Sequence, residues 1–173
     1  MSDFLTIAKK RYSCRHYDAG HAVTDADVDR VLEAARIAPS ACNRQPWRFI
    51  VVRDAGRRAA LLAKSRPAFN EAPVLIAAVG LHDRAWVRPA DHKDHTDIDM
   101  AIAVQQICLQ AADMGLATCW ICSFDAEAAQ SILNLPEHAE CVALIPLGYP
   151  LDYENPTHDQ RLSLDEIRRC ETF

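Results

Sequence analysis

Glycine is scarce in this sequence, at five of 173 residues. Neither G-x-G-x-x-G nor G-x-x-x-x-G-K-[ST] occurs, and these are the glycine-rich loops with which Rossmann domains and P-loop NTPases hold phosphates. The G-x-S-x-G elbow of α/β-hydrolases is missing as well. The chain therefore lacks the backbone that these common enzyme folds require.

Long apolar runs and an excess of basic residues are also absent. No run approaches the roughly 20 residues of a membrane-spanning helix, and the stretch MSDFLTIAKKRYSCR lacks the features of a signal peptide. We therefore expect a cytoplasmic protein that does not bind membranes. The formal net charge of −5 argues against general nucleic-acid binding, which needs a basic surface. Basic residues that matter for function must act locally, in a pocket.

The length and the composition are those of one globular domain. Half of the residues are hydrophobic and a quarter are charged, and 173 residues are enough for one sizeable core but too few for two ordinary domains. We expect a single domain over residues 1–173.

Cysteine and histidine are present but do not indicate a metal site. The seven cysteines, at positions 14, 42, 108, 119, 122, 141 and 170, are odd in number, and several lie in apolar runs. We expect small hydrophobic residues and not disulfides, which are rare in a reducing compartment. Residues 82–97 are rich in His and Asp but have no regular ligand spacing. We expect a solvated loop that, with Trp86, forms one wall of a substrate site.

The residue pattern alternates between helices and strands. Helices are expected over residues 3–10, 24–38, 55–64, 97–114, 125–133 and 163–170. Strands are expected over residues 47–52, 73–79, 119–122 and 141–147, which are short apolar runs. Thr24 with Asp27, and Ser163 with Glu166, have the spacing of helix N-terminal caps. The alternation predicts a mixed α/β sheet with helices packed around it.

The helix expected over residues 97–114 has almost no polar face. A helix that is apolar nearly all round is buried all round. In a small domain one sheet cannot cover every side of such a helix, so a partner subunit would explain the pattern economically. The alternative, a central helix buried within one subunit, stays open.

Two arginines near the N-terminus form the first candidate binding segment. In Arg11-Tyr12-Ser13-Cys14-Arg15, two guanidinium groups and a hydroxyl can converge on one phosphate. Taken alone, the same cluster is more often a solvated basic patch.

A proline-bracketed loop forms the second candidate segment. Residues 38–49, with the sequence APSACNRQPWRF, place hydroxyl and amide groups directly before an expected buried strand. A planar heteroaromatic ring needs such neutral donors and acceptors on a rigid loop. Taken alone, an ordinary polar turn is the simpler interpretation.

Together, in this order, the segments closely resemble the nitroreductase family of FMN-dependent oxidoreductases. The resemblance covers nearly the whole chain, in the pieces RYSCR, AARIAPSACNRQPWRFIVV, FNEAPVLIAAV, DIDMAIAVQQICLQAADMGLATCWICSFD and LNLPEHAECVALIPLGYP, followed by a basic residue before the last helix. It implies an α+β fold with a central, mainly antiparallel sheet flanked by helices, and an intertwined homodimer.

The resemblance also implies roles for individual residues. The segment that grips the ribityl phosphate of FMN is matched by Arg11, Tyr12, Ser13 and Arg15, joined by Arg161. The loop that reaches the cofactor, in this family often from the other subunit, is matched by Pro39, Ser40, Asn43 and Gln45. Asn70 matches a position that bonds the edge of the isoalloxazine ring. The strand end whose N–H groups approach flavin N5 and O4 is matched by Cys119, Trp120, Ile121, Cys122 and Ser123.

The implied activity is transfer of a hydride from NAD(P)H, through flavin N5, to small electron-poor acceptors. Nitroaromatics, quinones or free flavins would be reduced in a ping-pong cycle, with no side chain acting as a nucleophile. Two alternatives stay open. One is an enzyme like the flavin-dependent reductive dehalogenases, and the other is a non-catalytic FMN-binding or storage protein.

Several positions depart from the family pattern. Asp159 stands where a second basic residue is often found, and Pro73 where some relatives have a lysine near flavin N1. Without that cation an anionic reduced flavin would be harder to form. Cys14 and Cys42 lie next to the expected pocket, where we expect filler residues and not reactive thiols.

Overall fold

A computed structural model of the chain describes residues 3–65, 69, 71–151 and 158–173. The helices within these residues are α1 (Phe4–Lys10), α2 (Asp25–Arg36), α3 (Ala55–Leu62), α4 (Thr96–Asp113), α5 (Ala126–Ile132) and α6 (Leu164–Ile167). The strands are β1 (Trp47–Val52), β2 (Val74–Leu81), β3 (Ala117–Thr118) and β4 (Ala139–Gly148). A single 3₁₀ turn, Ala41–Asn43, precedes β1.

The four strands form one antiparallel sheet in the order β1-β2-β4-β3. Trp47 stands opposite Gly80 at one end of the sheet, and Val74 stands opposite Leu147 at the other. This confirms the expected α+β fold with a central antiparallel sheet.

Side chains that alternate along the strands build two cores on the two faces of the sheet. On one face Val74, Ile76 and Ala78 of β2 pack with α2 and α4. On the other face Leu75 and Ala77 pack with α3, α5 and the chain around residues 12–17. Because both faces are covered, β2 is buried along its whole length, and this explains why its sequence is continuously apolar.

The expected helix caps are confirmed. The Thr24 side chain accepts a hydrogen bond from the Asp27 N–H, and the Asp27 carboxylate accepts one from the Thr24 N–H in return. Ser163 and Glu166 form the same reciprocal pair at the start of α6. The expected end of α6 near residue 170 is wrong, because the helix stops at Ile167. So short a helix has little stability without packing, and none of its residues is buried in this chain.

The strand expected at residues 119–122 is also wrong. The paired residues are Ala117 and Thr118, opposite Gly148 and Leu147. Beyond them, Ile121 alone makes an isolated antiparallel bridge, with Leu144. Residues 119–122 therefore follow the edge of the sheet without joining it as a regular strand.

Helix α4 is covered on one side by α2 and on another by the sheet, within a single chain. Its buried residues include Met100, Ala103, Val104 and Ile107. The expectation of burial all round is not met in one chain, since Ile98 is 41% and Ile102 36% exposed. Among the residues described, no helix combines the length and the apolarity needed to cross a membrane.

Candidate functional site

The arginine segment lies beside the edge strand β3. Ser13 and Thr118 form a parallel bridge, and the Cys14 N–H donates to the Thr118 carbonyl oxygen at 3.0 Å. Tyr12 and Cys14 are buried, whereas Arg15 is exposed. Buried residues thus anchor the segment while an arginine side chain faces solvent.

Cys119, at the start of the segment 119–123, lies next to Ser13 and Arg15. Burial raises the pKa of the Cys119 thiol, while the charge of Arg15 and a hydrogen bond with Ser13 oppose that rise. The shared contacts place two of the predicted cofactor-binding segments side by side.

The backbone at Ile121 leaves N–H groups at an open edge. Ile121 donates to and accepts from Leu144, both at 3.0 Å. In an extended chain the N–H groups of successive residues point to opposite sides. Those of Trp120 and Cys122 therefore point away from β4, and Cys122 and Ser123 are exposed. The Ile121 N–H itself is bonded to the Leu144 carbonyl oxygen of β4.

Arg161 lies at the same end of the molecule as the arginine segment. It lines a surface groove of about 470 Å³ together with Leu5, Lys9, His158 and Asp159. The ring of His158 stands edge-on to Tyr12, with 6.4 Å between ring centroids. We call residues 11–15, 119–123 and Arg161 the first half-site. Asp159 shares the groove.

The loop 39–45 is a compact turn with exposed amides. The 3₁₀ turn Ala41–Asn43 closes it, and the Ser40 Oγ accepts from the Gln45 N–H at 2.9 Å. The Gln45 Nε2 donates to the Asn43 Oδ1 at 3.1 Å. Cys42, Asn43 and Gln45 all have φ between 50° and 53°, a left-handed backbone that is uncommon outside glycine. Pro39, Asn43 and Gln45 are exposed.

The loop 82–95 lies beside this turn. Arg44 Nη1 donates to the Ala85 carbonyl oxygen at 3.4 Å, and Trp86 packs edge-on against His95 with 4.7 Å between ring centroids. Trp86 is half-buried. We call the loop 39–45 with residues 82–95 the second half-site.

In one chain the loop 39–45 and the arginine segment lie at opposite corners of the sheet. The loop 39–45 leads into Trp47, at the Gly80 end of edge strand β1. The contact between Ser13 and Thr118 lies beyond the other edge, at the Val74 end. Strand geometry puts these corners about 20 Å apart along the strands and about 14 Å apart across them. The loop 39–45 of one chain is therefore too distant to contact the arginine segment of the same chain.

Histidine and cysteine occur near the site without building a metal centre. Within the described ranges no group of three or more His, Cys, Asp or Glu side chains has a geometry that could hold a metal ion. His82 instead bridges two carboxylates, with Nδ1 3.0 Å from Asp94 and Nε2 3.0 Å from Glu140. All seven cysteines are free thiols.

Two features of the site escaped the sequence-based predictions. Cys119 and Cys122 have C-x-x-C spacing, with the first thiol buried and the second exposed. Asp99, buried in α4, accepts a hydrogen bond from the Ala41 N–H at 2.9 Å and so contacts the loop 39–45. The available signal was an acid between the apolar residues Ile98 and Met100 at the start of a helix that was expected to be buried. Asn70 lies outside the described residues.

Comparison with known proteins identifies the family. The sequence profile of the Nitroreductase family matches residues 8–67 and 55–149, which together exceed half of the chain. The chain belongs to the nitroreductase family.

Relatives of this nitroreductase-family protein span its full length. A protein of Archaeoglobus fulgidus, whose name gives NADH dehydrogenase and NAD(P)H nitroreductase as candidate activities, is 33% identical over 98% of each chain. The crystal structure of a nitroreductase family protein from Clostridium difficile 630 is 37% identical and covers 100% of each chain, with a TM-score of 0.89. An FMN-dependent nitroreductase from Clostridium difficile R20291 is 25% identical over 98% of this chain and 99% of that one, with a TM-score of 0.83.

Proposed function

We propose that the protein binds FMN and transfers hydride from NAD(P)H to small electron-poor acceptors such as nitroaromatics, quinones or free flavins. Family membership and the FMN-dependent relative support the cofactor, and the name of the Archaeoglobus relative supports the nicotinamide donor. The observation that carries the proposal is the adjacency of an arginine segment and an open row of backbone N–H groups in the first half-site.

The donors of the first half-site suit one terminal phosphate. Arg11 and Arg15 flank Ser13, and this segment is tied to β3 by backbone hydrogen bonds. Guanidinium groups form bidentate, charge-assisted hydrogen bonds with phosphate oxygens, and a serine adds a neutral donor. Arg161 lines the groove beside α1 and would add a third cation to the phosphate end.

The ring of FMN would meet the open edge at Trp120 and Cys122. Their N–H groups point away from β4, and donors at this position would hydrogen-bond N5 and O4 of the ring. Bound FMN would supply the hydride chemistry, and the protein would supply orientation and the exclusion of water. We assign no side chain a nucleophilic role.

The amides of the second half-site complete this donor set. Because the Gln45 Nε2 donates to the Asn43 Oδ1, the Asn43 Nδ2, a donor, and the Gln45 Oε1, an acceptor, take no part in this hydrogen bond. The edge of an isoalloxazine ring carries both donors and acceptors. Asn43 and Gln45 therefore fit the ring, provided that the loop can reach it.

A homodimer would bring the loop to the ring. Within one chain more than about 20 Å of packed sheet separates the loop from the arginine segment. A symmetric dimer presents the same surface twice, so the loop of one chain can cover the first half-site of its partner. The exposed Ile98 and Ile102 of α4 provide an apolar contact surface for such a dimer.

The test begins with the purified protein and its cofactor. The purified protein should be yellow and should release FMN, not FAD, on denaturation. Stopped-flow mixing with NADH or NADPH should bleach the flavin absorbance, and a panel of acceptors should restore it. A colourless protein that takes up no added FMN would overturn the proposal. FMN that stays oxidised with both nicotinamides would instead indicate the storage function.

A further inference from the structure

Asp99 is a buried acid whose contact lies far away in sequence. Its side chain is 2% exposed, and its Oδ1 accepts the hydrogen bond of the Ala41 N–H at 2.9 Å, across 58 positions of the chain. Ala41 is the first residue of the 3₁₀ turn. The acid on α4 therefore contacts the turn at its N-terminal end.

This contact replaces the usual cap of the turn. The N-terminal N–H groups of a helical turn lack partners within the turn and are commonly bonded by the side chain of the preceding residue. Here that residue is Ser40, which makes no side-chain cap because its Oγ accepts from the Gln45 N–H. Asp99 supplies the missing acceptor, so the Ser40 Oγ can accept the Gln45 N–H that closes the loop.

The loop needs such an anchor because its backbone is unfavourable. Cys42, Asn43 and Gln45 have φ values of 51°, 53° and 50°. Residues other than glycine adopt this conformation only when the surrounding structure holds them there. The hydrogen bond at Ala41 precedes the strained residues, and the one at Gln45 holds the last of them.

Burial of the Asp99 carboxylate is energetically costly, and this cost indicates that the side chain has a role in the loop. Among the described residues, the Asp99 Oδ2 is buried without a hydrogen-bond partner. Burying a carboxylate costs free energy that an apolar residue would avoid, and one unsatisfied oxygen adds to that cost. Asp99 lies in the first turn of α4, where the helix dipole favours negative charge and offsets part of it.

We propose that Asp99 is a positioning residue for the cofactor. It fixes the loop 39–45 so that the Asn43 and Gln45 amides are aligned to meet FMN across the dimer. Asp99 itself does not contact FMN. This inference rests on the proposed function, because it requires that the loop binds the cofactor.

The test compares Asp99→Ala and Asp99→Leu with Asp99→Asn. Alanine and leucine remove the acceptor, and leucine keeps the space filled should alanine not fold. Asparagine keeps an acceptor oxygen. Hydrogen exchange of the amides of residues 41–45 should accelerate at least tenfold in the alanine and leucine variants, while exchange in β2 and β4 stays unchanged. The FMN dissociation constant, measured by fluorescence quenching, should rise at least tenfold in the same variants.

The controls separate positioning from general damage. Asp99→Asn should stay within threefold of the wild type in both measurements. Asp97→Asn, which alters an exposed acid in the same first turn, should do so as well. FMN binding within threefold of wild type in Asp99→Leu would overturn the inference, as would unchanged exchange of the loop. A wild-type protein that binds no FMN would overturn the proposed function, and hydrogen exchange would still show whether Asp99 fixes the loop.

Discussion

The Tyr17 phenol donates a hydrogen bond to the carbonyl oxygen of Cys14 at 3.1 Å, in the interior of the protein. Tyr17 is 2% exposed, and burial raises the pKa of its hydroxyl well above the usual value, so the hydroxyl stays protonated. Gly148 leaves room for the ring, since a Cβ there would lie 2.9 Å from the Tyr17 Cδ1. The arginine segment is thus fixed from its C-terminal side by a tyrosine packed on β4.

Tyr17→Phe should lower the free energy of unfolding by about 1 kcal/mol. The substitution keeps the ring but removes the donor, and one buried hydrogen bond contributes about 0.5–1.5 kcal/mol. The loss is measured by urea denaturation, followed by circular dichroism. Tyr149→Phe is the matched control, because Tyr149 is half-buried. Equal stability of Tyr17→Phe and Tyr149→Phe would contradict the importance of the bond.

The sequence predicted most elements of this fold, because their signals are local. The caps at Thr24 and Ser163 are four-residue patterns, and they lie at the predicted positions. The strands β1, β2 and β4 lie where short apolar runs predicted them, although only β2 is buried along its whole length, since Arg48 and Val51 of β1 are exposed. Such patterns are contained in the few residues that form the element.

The errors concern contacts between distant parts of the chain. The apolar stretch 119–122 has the composition of a strand, but pairing with β4 selects Ala117 and Thr118. Asp99 could not be assigned to the loop because its contact depends on how α4 packs beneath the turn. For the candidate site, the family motifs predicted which residues bind the cofactor. The separation of the loop 39–45 from the arginine segment emerged only from the strand order.

His82 should make the stability of the protein depend on pH. A hydrogen bond with Asp94 raises the pKa of the imidazole, burial acts against the rise, and Glu140 adds to it. A raised folded-state pKa stabilises the protein fully below the unfolded value of about 6.5. That contribution is lost as the pH rises through the folded-state pKa. The ion pairs are partly exposed, so we expect at most about 1 kcal/mol.

Thermal unfolding from pH 6 to pH 9 tests this dependence. The melting temperature of the wild type should fall with rising pH relative to that of His82→Gln, which has no titrating group there. Glu140→Gln removes one of the two carboxylate partners and should leave a smaller fall. Parallel curves for the wild type and His82→Gln would show that the bridge contributes no pH-dependent stability.

Ile102→Glu should disrupt the proposed dimer. Ile98 and Ile102 are four residues apart on α4, so they share one exposed face. A carboxylate in the middle of an apolar contact would be desolvated without a partner on assembly. We expect analytical ultracentrifugation to find mostly monomer, with little bound FMN.

Ala59→Glu is the control for this variant, since it places the same charge on an exposed position of α3. It should stay dimeric and yellow. The dimer hypothesis is wrong if the wild type sediments as a stable FMN-bound monomer. It is also wrong if Ile102→Glu remains a dimer with full flavin content.

The sharpest prediction contrasts Arg15 with Cys42. Arg15→Ala removes a cation from the proposed phosphate site, and hydrogen bonds to charged groups contribute about 1.5–3 kcal/mol. The FMN dissociation constant should therefore rise roughly tenfold to a hundredfold. Saturating FMN should then restore most of the NAD(P)H oxidation rate, because Arg15 would hold the phosphate, away from the reacting ring atoms.

Cys42→Ala should leave FMN affinity and the rate of flavin reduction within a few-fold of the wild type. Cys42 is exposed on the loop 39–45, and its backbone has a φ of 51°. Alanine has the same Cβ, so the substitution removes the thiol without greatly changing that conformational strain. Titration of FMN and stopped-flow reduction by NADH and NADPH measure the two quantities separately. If Cys42→Ala abolished turnover while FMN stayed bound, the thiol would take part in the chemistry, and a mechanism that relies on the flavin alone would have to be given up.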